Sequence, residues 1–252
     1  MPRFAVPALL CLLAGIASAD ARELKILTGA GMSMPVRALA AAYGTRTGNT
    51  VTVVSDTAGG VQKRIEAGEK FDLVIGTQAV LDALTKQQKV AAAHSDLAQM
   101  VAGIGAKLGA AKPAIADSAQ FKATLLAAKT ITYVDPASGG ITGVFFLSQA
   151  DKLGVGQEVR AKAVLKPNGT GVADAIATGQ AQYGVTLISE MMPNPGVTVW
   201  PLPDELQMTT IYTAAITNDA QNAMDAQGML DDLRGTRGHD ASIKAGLKPV
   251  SH

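Results

Sequence analysis

The sequence predicts an α/β fold whose sheets are covered by helices on both faces, and three observations carry that expectation. Short apolar or β-branched runs alternate with stretches of helical periodicity along the chain. The junctions from run to helix are rich in glycine, serine and threonine, the residues that strand-to-helix turns and helix caps use. No proline-, glycine- or serine-rich linker divides the chain, so if there are two lobes they share strands of chain.

The unit at 23–43, ELKILTGAGMSMPVRALAAAY, sets the pattern. Leu24, Ile26 and Leu27 read as a strand, Gly29 and Gly31 loosen the turn, and Ser33 and Pro35 stand where a helix cap and first turn belong. Val36, Leu39, Ala40 and Tyr43 then fall at i, i+3, i+4 and i+7, which gives one apolar helix face to lay on a sheet. A β-branched run at 50–54 leads into a helix ending at Gly68, and a strand at 71–75 leads into a helix carrying Val80, Leu81 and Leu84. Repetition of strand and helix in this order predicts parallel pairing, with a ligand site at the carboxyl ends of the strands. Between 97 and 108 the pattern turns extended and glycine-interrupted, the expected crossing into a second lobe. There Asp117 or Ser118 caps a helix, and a strand at 130–134, a loop at 135–143 and a helix at 144–153 repeat the opening unit. Residues 159–165 alternate as a strand, 168–171 read as a tight turn, 172–178 as a short helix, and 183–188 and 197–202 as strands. The run at 209–217 returns the chain to the first lobe, and helices at 219–234 and 240–247 close it.

Composition narrows the function. Arg3, an apolar run at 4–16 and Ala17-Ser18-Ala19 make a cleavable signal peptide at 1–19, with a mature chain from Asp20 exported to the periplasm. Cys11, the single cysteine, lies inside that run with Leu10 before it, which argues against a lipid anchor. The mature chain then has no disulfide, no reactive thiol and no cysteine-built metal site. Of 22 basic residues the leader takes one, leaving 21 against 21 acidic, a net charge of zero with histidine neutral. With only 4 % aromatic residues as well, there is no footprint for nucleic acid. His94, His239 and His252 show no metal spacing, and neither a G-x-S-x-G nor a G-x-x-x-x-G-K-S/T motif occurs. No cofactor and no metal are therefore expected.

Five loops share one chemistry, at 29–33, 57–60, 76–78, 138–143 and 168–171. Backbone N–H groups and hydroxyls at helix starts can hold a small anion without lysine or arginine. The same residue types also serve ordinary turns and caps. The candidate ligand-binding residues are Ala30, Gly31, Ser33, Thr57, Ala58, Gly59, Gly60, Thr77, Ser138, Gly139, Gly140, Thr142, Gly143, Gly169, Thr170 and Gly171. Asp56, Asp135 and Glu190 end strands, where each can enter a cleft or cap a turn. Lys63 and Arg64 can reach a carboxylate ligand or face solvent.

With these loops in view, the chain resembles the type II periplasmic substrate-binding proteins, in the molybdate-binding branch of the ABC importers. The resemblance rests on the opening unit through Tyr43, on RIEAG followed by FDLVIG, on DPASGGITGVFF, on GQAQYGVTLISE and on the closing TTIYTAAIT. It implies two α/β lobes with mixed sheets joined by two crossing strands, the first from 20–99 and 208–252 and the second from 100–207. It also implies a monomer that captures a small anion between the lobes and passes it to an inner-membrane permease. Three of the family's hydroxyl positions differ here: the first loop aligns Gly31, the second loop reads Thr57-Ala58-Gly59-Gly60, and the ligand-binding tyrosine after the late strand falls at Leu187. The glycines imply a wider site, suited to a small polycarboxylate as well as to a molybdate-like oxyanion. Relatives of this shape also resemble aconitate isomerases, so a periplasmic isomerase with Asp135 or Glu190 as base is the alternative to a non-enzymatic carrier.

Overall fold

In the computed structural model, residues 22–250 are described, and the signal-peptide expectation at 1–19 lies outside them. Two mixed sheets organise the chain. The first has six strands in the order β11-β4-β10-β3-β1-β2, formed by β1 (Glu23–Gly29), β2 (Thr50–Asp56), β3 (Leu73–Thr77), β4 (Ser95–Gln99), β10 (Ile211–Ile216) and β11 (Lys248–Pro249). The second has five in the order β7-β6-β8-β5-β9, formed by β5 (Ala102–Lys107), β6 (Ile131–Val134), β7 (Ala163–Lys166), β8 (Tyr183–Leu187) and β9 (Val197–Pro201). Pairing is parallel for β2-β1-β3 and for β7-β6-β8, where helices make the crossovers. It is antiparallel where β10 lies between β3 and β4 and where β5 lies between β8 and β9.

Helices α1 (Ser33–Thr47), α2 (Ala58–Glu66) and α3 (Gln78–Lys86) follow the first three strands, and α9 (Ala223–Arg234) and α10 (Thr236–Lys244) close the first lobe. The second lobe carries α4 (Ser118–Ala127), α5 (Ile141–Lys152), α6 (Gly156–Ala161), α7 (Gly169–Ala177) and the single turn α8 (Ile188–Met191). The face expected for the first helix is the buried one: Val36, Leu39, Ala40 and Tyr43 pack into the core, and Gly48 ends the helix in the left-handed conformation with φ +75°. β3, flanked on both sides, is buried at all five positions, whereas edge strand β2 has none fully buried.

Several local expectations change. Residues 159–165 do not form one strand, because 156–161 are helix α6 and only Ala163–Lys166 pair in the sheet. Asn168 is not in a free turn: its side chain accepts the Gly171 N–H at 2.9 Å and caps α7. Ser33 opens α1 without capping it, and its hydroxyl accepts instead from Arg37 Nε on the exposed side.

The chain passes from β4 to β5 through Met100 and Val101 and returns through 202–210. The two crossings are tied together. The Gln207 side-chain amide exchanges hydrogen bonds of 3.0 Å with both the N–H and the C=O of Ala102, and Met100 N–H donates to Thr210 C=O at 2.9 Å.

Candidate functional site

The strand-to-helix junctions of both sheets face each other across a narrow cavity. Of the sequence candidates, Ala30, Thr57, Ala58, Thr77, Gly140, Thr142 and Gly169 line it. Gly31, Ser33, Gly59, Gly60, Ser138, Gly139, Gly143, Thr170 and Gly171 do not, and the geometry shows what holds several of them elsewhere. Gly60 leaves space for the Asp56 carboxylate, Gly143 lets the first turn of α5 press on the Val134 carbonyl, and the Ser138 hydroxyl donates to the Asp135 carbonyl within its own turn.

Helix caps account for the polar lining. Thr57 accepts the Gly60 N–H at 3.1 Å and Thr77 accepts the Val80 N–H at 3.3 Å, so each hydroxyl fixes a helix start while bordering the cavity. Thr142 is 5 % exposed and lies on the buried side of α5, so it is not on a surface loop.

The lobes touch at the rim through main chain. Gly59 N–H donates to Gly139 C=O at 3.1 Å, and the Thr57 hydroxyl donates to Ser138 C=O at 3.3 Å. Gly139 holds φ +80°, and a Cβ on Gly59 would stand 3.1 Å from the Gly139 Cα, so glycine at both positions permits the contact.

The acidic candidates separate cleanly. Asp56 is bound by Thr57 N–H and by Arg64 Nε, each at 2.8 Å, and Arg64 also pairs with Glu69. Asp135 accepts the Ala137 N–H at 2.9 Å. Both acids serve turns, and Arg64 is committed outside the cavity. Glu190 alone of the three lines it. Gly169 has no side chain where that of Glu190 lies, since a Cβ there would be 2.6 Å from the Glu190 Cβ and closer still to the carboxyl.

Glu190 keeps some accessibility toward the cavity, but its carboxyl is enclosed by protein, and burial raises its pKa above the ordinary value. Hydrogen bonds from Thr186 and from the Leu187 N–H oppose that rise. Thr186 Oγ1 stands 2.7 Å from Glu190 Oε2 and 3.2 Å from Thr142 Oγ1. One hydroxyl hydrogen cannot serve both neighbours. With Glu190 ionised, Thr186 donates to it and accepts from Thr142; with Glu190 protonated, the direction can reverse along the chain. The carboxyl can therefore take up or release a proton without leaving a buried hydroxyl stranded.

A group absent from the candidate list completes the wall. Tyr212 of β10 lines the cavity, and its phenol lies where a side chain on Gly31 would project. The same point lies 2.6 Å from Leu187 Cδ1. Gly31 therefore does not widen the cavity: protein fills the space. Among the described residues, no Lys, Arg or His lines it.

The family model for bacterial extracellular solute-binding proteins matches residues 24–248. The chain belongs to this family. Among curated relatives it is 30 % identical over 260 aligned positions to an aconitate isomerase of a Pseudomonas species, covering 99 % of this chain and 97 % of that one. It is 25 % identical over 228 to the molybdate-binding protein ModA of Rhodobacter capsulatus, covering 89 % and 88 %. The periplasmic molybdate-binding protein of Azotobacter vinelandii superposes with a TM-score of 0.75 at 19 % identity, covering 90 % of this chain and all of that one. The type II periplasmic binding-protein fold, with its two lobes, is the fold of this chain.

Proposed function

We propose that this solute-binding protein captures a small polycarboxylate between its lobes in the periplasm and moves a proton on it, as an isomerase of an unsaturated tricarboxylate. The observation that carries the reading is Glu190, a carboxyl of raised pKa facing the cavity with a hydroxyl relay behind it. A passive anion trap needs donors only, and a carboxyl in its wall has no use there. A proton acceptor has a use when a C–H bond must be broken. Ionised Glu190 takes a proton from the methylene carbon next to the double bond, leaving an allylic anion delocalised onto the neighbouring carboxylate. Neutral Glu190 returns the proton at the other end of the allyl system, so the double bond moves and the enzyme is unchanged. The full-length likeness to an aconitate isomerase supports the same substrate class.

The Thr77 hydroxyl and the helix starts that border the cavity supply donors for the carboxylates, and the main-chain seam at Gly59 and Gly139 closes over them. The second reading is a carrier that delivers a molybdate-like oxyanion to an ABC permease, favoured by the likeness to ModA. Proton NMR in D2O separates the two. Each aconitate isomer, in several-hundredfold excess over protein, should convert, with deuterium entering the methylene carbon as far as neutral Glu190 exchanges with solvent before it returns its proton. Stoichiometric binding with neither conversion nor exchange would refute the isomerase and leave the carrier.

A further inference from the structure

The family resemblance implies lost hydroxyls at Gly31 and Leu187, yet the structure brings two others to that point from distant parts of the chain. Tyr212 arrives from β10, with Gly29 and Gly31 both lacking the side chain that would collide with its ring or phenol. Ser189 arrives from α8, and its Oγ lies 3.1 Å from where a Gly31 Cβ would be. Ser189 is 4 % exposed, and its hydroxyl has no hydrogen-bond partner among the described residues. Ser189 is not among the residues that line the cavity; it stands beside the Tyr212 phenol at the same vacant position over Gly31, and the phenol is the group that faces a guest.

The phenol oxygen stands beside the Gly31 backbone, and its hydroxyl hydrogen has no acceptor among the hydrogen bonds of the described residues. Burial, and then the charge of Glu190, push its pKa well up, so it stays a neutral donor across the physiological range. Neutral, buried donors fixed before the reaction are the groups that stabilise charge as it develops.

We propose that Tyr212, seated by Gly29 and Gly31 and flanked by Ser189, is the donor that holds one ligand carboxylate opposite Glu190 and stabilises the charge spreading onto it as the proton leaves carbon. This rests on the isomerase reading. It places the base and the charge-stabilising donor on different lobes, Glu190 after β8 and Tyr212 on β10, so both reach one ligand only when the lobes are closed.

The test compares wild type, Tyr212→Phe and Gly31→Ala, the last displacing the phenol without altering it. Turnover of aconitate is measured beside binding of propane-1,2,3-tricarboxylate, a saturated analogue with no double bond to shift. For both variants kcat should fall about 100-fold or more, as for loss of an oxyanion donor. Affinity for the analogue should fall about 10- to 150-fold, the range of one hydrogen bond to a charged group. A kcat within threefold of wild type in Tyr212→Phe or, should that variant not fold, in Gly31→Ala overturns the assignment. If wild type itself does not turn over, the isomerase reading fails separately, and unchanged analogue affinity in both variants then overturns the donor role as well.

Discussion

Gly169→Ala tests the seat of Glu190 without touching the acid. Gly169 is the first residue of α7 and has no left-handed backbone, so alanine brings no conformational penalty and gains about 0.4–1 kcal/mol through the unfolded chain. Against this, the new methyl group would lie within 2.6 Å of the Glu190 Cβ and meet the carboxyl as well, so the whole side chain must move. Overpacking of that kind costs about 1–3 kcal/mol. Losing the 2.7 Å bond from Thr186 to the carboxylate costs about 1.5–3 kcal/mol more. The net destabilisation is about 1.5–5.6 kcal/mol, which at about 2–4 °C per kcal/mol lowers Tm by about 3–22 °C. Differential scanning calorimetry at pH 7 measures it, with Gly171→Ala in the same helical turn as control, where the nearest foreign atom, Lys166 Cβ, is 3.3 Å away. Equal melting temperatures for Gly169→Ala and the control would refute the packing of Glu190 against α7.

Because burial raises the Glu190 pKa, the folded protein holds that proton to higher pH than the unfolded chain does. Stability should therefore fall as pH rises from about 4.3 to the folded-state pKa, by up to about 1.4 kcal/mol per pH unit, and Glu190→Gln should remove this contribution in a Tm-against-pH series. Thr186→Val deletes the opposing hydrogen bond, so the acidic limb of the turnover profile should move to higher pH; an unmoved limb separates Thr186 from the reacting carboxyl. Val36→Asp places a charge at a fully buried site between α1 and its sheet and should abolish cooperative melting or lower Tm by more than 10 °C, by circular dichroism, on the order of 3 kcal/mol or more.

What the sequence made legible was whatever a local pattern encodes. The spacing of Val36, Leu39, Ala40 and Tyr43 found the buried face of α1, and the threonines at 57 and 77 marked helix starts that border the cavity. At 159–165 a local pattern misled, because Val159 is buried from a helix and the alternating residues after it belong to a short strand. The Tyr212 phenol gave no local signal at all. It reaches the first loop through pairing of β10 with β3, a contact between residues far apart in sequence. Glycines of the candidate loops leave room for protein: Gly31 for Tyr212 and Leu187, Gly169 for Glu190, and Gly59 for Gly139. An absent side chain records that something comes close, and only the packing tells what.

The seam between Gly59 and Gly139 gives this protein a built-in clock. The Gly59 amide donates across the lobes, from the first turn of α2 to the turn before α5, so that hydrogen bond must break whenever the cleft opens. Its hydrogen-exchange rate therefore counts opening events one amide at a time, with no label attached and no side chain altered. A resident ligand should slow that single amide in proportion to the time the lobes stay shut, which turns occupancy into a rate readable at one backbone nitrogen.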